Sequence, residues 1–125
     1  MNIPDDRMYS NDHIWIKIED NACVLGVTDH AQSSMGAIEY IDLLATGAAM
    51  VRGESYGCAE SAKAVTEMPA PFDALVIEIN GQLAEEPERV NNSPYGDGWM
   101  LRVINVDSDD LQDLMDAVAY RRFLE

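Results

Sequence analysis

Lysine is almost missing from this sequence: Lys17 and Lys63 are the only two in 125 residues, and 23 acidic side chains face 8 basic ones. The formal charge of -15 argues against phosphate backbones and anionic membranes as partners, because a field of that sign repels them. No nucleic acid and no membrane is therefore expected, whereas basic protein surfaces are. Cysteine is equally scarce. Cys23 and Cys58 are too few and too far apart for a zinc site or a disulfide framework, and both are expected to pack as small buried hydrophobes. The two histidines, His13 and His30, have no placed carboxylate or cysteine beside them, so no metal site is expected. Long apolar runs are absent, which leaves no transmembrane helix. Residues 1–7 have neither the basic start nor the apolar stretch of a signal peptide, so a cytoplasmic location is expected.

A hydrophobic content of 47% over this length predicts one ordinary domain, residues 1–125, that buries roughly two-thirds of its unfolded surface. Residues 1–7 are polar and should lie loose or pair at an edge. In residues 13–19 the pattern alternates, with Ile14, Ile16 and Ile18 on one face and His13, Trp15, Lys17 and Glu19 on the other, the period of a half-buried strand. A turn at 19–21 and a returning strand at 23–27 follow. Thr28 is placed as an N-cap with Asp29 in the first turn, opening a short helix that Gly36 closes.

Further strands are expected at 37–43, 56–60, 65–68, 75–79 and 100–106, with turns at Thr46-Gly47, 52–54 and Asn80-Gly81 and a solvated acidic stretch at 85–88. Ser108 should cap a last helix with Asp109 and Asp110 in its first turn. Leu111, Leu114, Met115 and Val118 form its apolar stripe, and Arg121 and Arg122 lie near its C-terminal end. These elements predict a mainly β fold, a small antiparallel sandwich or barrel with a short helix in the N-terminal half and a C-terminal helix packed outside.

The most informative stretch is 57–71, Gly-Cys-Ala-Glu-Ser-Ala-Lys-Ala-Val-Thr-Glu-Met-Pro-Ala-Pro. Lys63 stands between two alanines and the segment closes on Pro69 and Pro71, which suits a tight hairpin with an unobstructed amine at its tip. Such an amine can be gripped and modified by an enzyme.

Glu60-Ser61-Ala62-Lys63-Ala64 resembles the Glu-Ser-x-Lys-Ala lipoylation motif of the H-protein of the glycine cleavage system. The likeness extends to His13-x-Trp15, to Gly-Val-Thr-Asp-His-Ala-Gln at 26–32, and to Val-Asn-Asn-Ser-Pro-Tyr-Gly-Asp-Gly-Trp at 90–99, in the family's order. The resemblance implies the lipoyl-type barrel-sandwich hybrid, with lipoate amide-linked to Lys63 and with Glu60, Ser61 and Ala64 read by a lipoate ligase or lipoyl transferase. It implies a monomeric carrier, not an enzyme. Its partners would be the P-protein (glycine decarboxylase), which loads the aminomethyl group of glycine, the T-protein (aminomethyltransferase) and the L-protein (dihydrolipoyl dehydrogenase). The carrier group must supply the reactivity that no side chain here has.

Some positions depart from the family pattern. Ile14 stands where a glutamate is usual and Ser34 where histidine is common; in the family these positions, with an acid matching Glu67, help form the cleft that shelters the loaded arm. Losing an anion there weakens the hold on a cationic amine, unless Ile14 is merely a core-facing strand residue. Leu44 and Asp73-Ala74 replace a usual proline and glycine in two turns. Two alternatives therefore stay open beside the glycine carrier: an H-protein-like lipoate carrier in a sulfur-oxidising heterodisulfide-reductase-like system, and an unmodified acidic adaptor.

Overall fold

The structure, a computed structural model, describes residues 1–125. Nine strands are formed: β1 (Met8–Tyr9), β2 (Ile14–Glu19), β3 (Ala22–Val27), β4 (Ile38–Leu43), β5 (Ala49–Met50), β6 (Ser55–Ser61), β7 (Val65–Pro69), β8 (Ala74–Ile79) and β9 (Leu101–Ile104). The helices are short: α1 (Asp29–Met35), α2 (Arg89–Asn92), α3 (Ser108–Gln112) and α4 (Ala117–Phe123), with a 3-10 turn at Gly81–Ala84. One sheet has the order β1-β2-β3-β9-β8-β5 and the second β4-β6-β7, all pairs antiparallel. Ile16, Leu25, Val103, Tyr56, Met68 and Phe72 lie in one cluster of 21 buried residues, which joins strands of both sheets. The fold is mainly β, as expected.

The first hairpin turns at Asp20-Asn21, where Asp20 takes φ 54°, a left-handed value that aspartate tolerates better than most residues. Thr28 caps α1 by accepting from Ala31 N at 3.2 Å, and Gly36 ends the helix at φ 78°. Both follow the sequence reading.

Several expectations are corrected. Strand β2 is not divided cleanly into two faces: Trp15 is as buried as Ile14, and Ile18 is 52% exposed. A second cluster of Tyr9, Trp15, Val24, Ala117 and Tyr120 covers the other face of the β2-β3 hairpin, so tertiary contact overrides the alternation. Residues 1–7 are tied down. Asn2 N donates to Asp29 Oδ2 at 2.9 Å, Tyr95 Oη donates to Asn2 O at 2.8 Å, and the Arg7 guanidinium lies 4.7 Å from the Trp15 ring centre.

Asn80-Gly81 turns the chain as expected, by opening the 3-10 turn. The Asn80 side chain caps the 3-10 turn and donates to the carbonyls of Asp97 and Trp99, both at 2.8 Å, so a buried amide holds the loop before β9. The single C-terminal helix is two. Asp107, not Ser108, caps α3, and the helix stops because Met115 and Tyr9 exchange two backbone hydrogen bonds of 2.8 Å. Asp116 then caps α4 through Ala119 N at 2.8 Å. Leu111 and Leu114 still face the main core, but Val118 is exposed. Cys23 is buried as expected, whereas Cys58 is only half-buried. Asp73 Oδ1 accepts from Arg52 N at 2.9 Å, so the aspartate clips the turn before β6.

Candidate functional site

Strands β6 and β7 pair up to Glu60 opposite Val65, and the tip closes with Ser61 N donating to Ala64 O at 2.9 Å. Ala62, Lys63 and Ala64 are all exposed. Arg7, Lys17, Arg52, Arg89, Arg102 and Arg121 each sit in an ion pair, whereas Lys63 sits in none. Its stem runs over the end of α1: a Cβ built on Gly36 would lie 3.2 Å from Lys63 Cε. Gly36 thus meets two demands at once, a left-handed helix stop and close passage of the lysine.

Beside that helix end lies a cleft of about 280 Å³ between α1, β7 and the start of β2. Ile14, Val27, Ala31, Met35 and Met68 make it largely apolar, while Asp12, His13, His30, Ser34 and Glu67 add polar groups. The structure therefore brings Ile14, Ser34 and Glu67 onto one cleft. Glu60, Ser61, Lys63 and Ala64 lie apart from it on the hairpin, joined to it through the Ser34-Met35-Gly36 end of α1. Ile14 is 1% exposed and belongs to the core while also lining the cleft. Glu67 borders the cleft and stands opposite Cys58 in the sheet. Burial, then Glu67, Asp42 and Glu60, push the Cys58 thiol up and keep it protonated.

Sequence reasoning separated two residues that the fold joins. The rings of His13 and His30 lie 4.5 Å apart, His13 Nδ1 is 2.8 Å from Tyr120 Oη, and that hydroxyl is 2.9 Å from Thr28 Oγ1. No group of three metal-ligating side chains assembles. His13 takes φ 66° after a Ser-Asn-Asp turn, the one local signal that its ring leaves the strand pattern. Burial first, then the neighbouring His30, hold its imidazole below the usual value, with Asp12 opposing.

The unfolded His13 takes up its proton near pH ~6.5 and the folded one only at lower pH, so the unfolded state binds more protons in that window. Stability is expected to fall as pH drops below the ordinary imidazole range and to level off beneath the folded value. In His13→Asn, which keeps a residue suited to left-handed backbone, urea titrations from neutral to mildly acidic pH should show this acid-side loss reduced.

A two-sheet β fold that holds a lysine at the tip of a free hairpin has the architecture of a lipoyl-type carrier protein. The chain belongs to the glycine cleavage H-protein family, whose profile matches residues 7–125. It is 43% identical over 125 residues to the glycine cleavage system H protein of Anaeromyxobacter sp. (strain K), spanning 100% of this chain and 98% of that one. To the mitochondrial glycine cleavage system H protein 2 of Arabidopsis thaliana it is 38% identical over 120 residues, 96% of this chain and 77% of that one. The crystal structure of a glycine cleavage system H protein from Mycobacterium marinum superposes with a TM-score of 0.87 at 31% identity, covering 96% and 97% of the two chains. Proteins of this family are the lipoyl carrier of the glycine cleavage system and are not catalysts themselves. The sulfur-carrier alternative raised by Ile14 and Ser34 is not supported, since each of these relatives bears the glycine-cleavage name. No helix of the chain is long and apolar enough to cross a membrane.

Proposed function

We propose that residues 1–125 act as one carrier unit, with lipoate amide-linked to Lys63 Nζ and the aminomethyl group of glycine as cargo. The observation that carries this reading is the exposed Lys63, unpaired at the hairpin tip with its stem leaning on Gly36 next to the apolar cleft. The residues fit the group: a free amine for the amide, and close by a groove apolar enough for an alkyl chain, with polar groups for its far end. When attached, the dithiolane supplies the disulfide that accepts the one-carbon unit and the dithiol that must later be reoxidised.

This chain's own part is attachment and shelter. Glu60, Ser61 and Ala64 present Lys63 to a lipoate ligase or lipoyl transferase. Val27, Ala31 and Met68 exclude water from the arm, Ser34 offers a hydroxyl, and Glu67 offers a carboxylate to a protonated amine at the rim. Ile14 supplies only apolar floor. The partners are the P-, T- and L-proteins. Acidic surface favours their encounter through basic docking patches, an effect that salt should weaken.

The test is glycine-dependent exchange of labelled bicarbonate with purified P-protein, after intact mass has shown one lipoyl group per chain. Exchange at the rate of an ordinary H-protein is the expected result. Negligible exchange from a fully lipoylated protein would remove the aminomethyl cargo.

A further inference from the structure

The three-stranded sheet that carries Lys63 has an outer face on which Tyr40, Asp42, Val65 and Glu67 are exposed. Its register places Tyr40, Glu60 and Val65 in one row across β4, β6 and β7, and Asp42, Cys58 and Glu67 in the next. Residues opposite one another share a face. On the inner face the corresponding row is Ile41, Ala59 and Thr66, with Ile41 and Ala59 buried. The outer row nearest the lysine is instead half apolar and open, with Tyr40 50% and Val65 59% exposed.

Tyr40 reaches that face only through an irregularity. Pairing steps from Ile38 opposite Ser61 to Tyr40 opposite Glu60, leaving Glu39 as an extra residue on β4. Period-2 alternation from buried Ile38 would turn Tyr40 inward. The bulge turns it outward beside Glu60 and lets Ile41 face the core, the re-aiming that bulges perform next to functional sites. Since neighbouring strands lie about 4.8 Å apart, Tyr40 and Val65 flank Glu60 within roughly 10 Å. Glu60, Asp42 and Glu67 make no ion pair with any of the chain's basic residues. An aromatic and an aliphatic anchor among unpaired carboxylates fit a protein surface with an apolar pocket and a basic rim.

We propose that this face is the grip of the enzyme that acylates Lys63, with Tyr40 and Val65 as apolar anchors and Glu60, Asp42 and Glu67 as ionic contacts. It rests on Lys63 being the attachment site. Reach selects the occupant. In acylation the uncharged ε-amine itself attacks the carbonyl of an acyl adenylate; the C–N bond forms, the C–O bond to phosphate breaks, AMP leaves with that electron pair, and the amine's proton goes to solvent. The reacting nitrogen stands only four methylenes from the backbone, so the enzyme must enclose the tip and cover the first row, about three residues or 10 Å down the hairpin. Enzymes that use the finished arm meet its far end and can stand off from this face.

The experiment follows kcat/KM for lipoyl transfer onto the unmodified protein by a purified lipoate ligase with lipoate and ATP, read by intact mass. Tyr40→Ser/Val65→Ser should lower it about tenfold or more, mainly through KM, as expected for interface anchors. Its thermal midpoint should fall by only a few degrees, because both side chains are at least half exposed and lie outside the buried core. Tyr40→Lys, which sets a cation against the basic rim, should do the same. Raising salt from about 0.05 to about 0.5 M should slow the wild type, and less so Glu60→Gln/Asp42→Asn. Once driven to complete lipoylation, the Tyr40→Ser/Val65→Ser protein should be reoxidised by the flavin dehydrogenase at the wild-type rate. Unchanged kcat/KM, or an equal loss in reoxidation, overturns the proposal. A lipoyl group still gained by Lys63→Arg would instead overturn the attachment site, so the two failures are separable.

Discussion

Lys63→Arg is expected to abolish lipoylation and all carrier activity, with a stability change within about 0.5 kcal/mol. The residue is exposed and makes no ion pair, so the fold has little to lose there. Arginine keeps charge and length. Its guanidinium stays protonated throughout the physiological range and offers no nucleophilic amine. Intact mass, bicarbonate exchange with the P-protein and a thermal melt give the three readings. The only other lysine, Lys17, is engaged by Asp6 at 3.5 Å and Glu19 at 3.9 Å, so Lys17→Arg is the matched control and should lipoylate normally. Exchange surviving in Lys63→Arg would show that the attachment lies elsewhere.

Gly57→Ala is expected to destabilise the protein by about 1–3 kcal/mol, the range for forced overpacking. Intrinsic preference points the other way, since glycine inside a strand is worse than alanine by roughly 0.5–1 kcal/mol. Sterics decide the sign. Gly57 lies opposite Leu43, and a Cβ there would press into the Asp42 carbonyl oxygen and come within 3.2 Å of Leu43 Cα. Both are backbone atoms of β4, so relief requires the two strands to part. Because β4 also carries Tyr40 into the row beside Glu60, lipoylation should slow in proportion to that displacement. Urea unfolding with a kinetic acylation assay checks both effects. A neutral or stabilising outcome would mean that β4 shifts freely on β6.

Much of the architecture was legible because it is set within short windows. Thr28 and Gly36 bracket α1 by cap chemistry, and Asp20 turns the first hairpin through a tolerated left-handed backbone. Lys63 was legible for the same reason: small neighbours and flanking prolines define a hairpin tip locally. The errors arose where distant segments compete for the same backbone or surface. The stripe at 111–118 predicts one helix, but Tyr9 captures the backbone of Met115 and splits it. Alternation predicts Trp15 on a solvent face, but Tyr9, Ala117 and Tyr120 cover it. Asn80-Gly81 turns the chain as its local chemistry predicts, but the Asn80 amide's bonds to two carbonyls from residues 97 and 99 depend on distant segments.

The site divides along the same line. By itself the sequence determined the exposed lysine, the small residues beside it and the acidic field around them, because composition and turn propensity act locally. Only the tertiary structure decided that Ile14, Ser34 and Glu67 share one cleft, that the His13 and His30 rings meet at its side, and that a bulge at Glu39 turns Tyr40 toward the lysine's face. Those groupings join residues up to about fifty positions apart. They depend on which strands pair and in what register, a choice made by the whole buried core and not by any window of the chain.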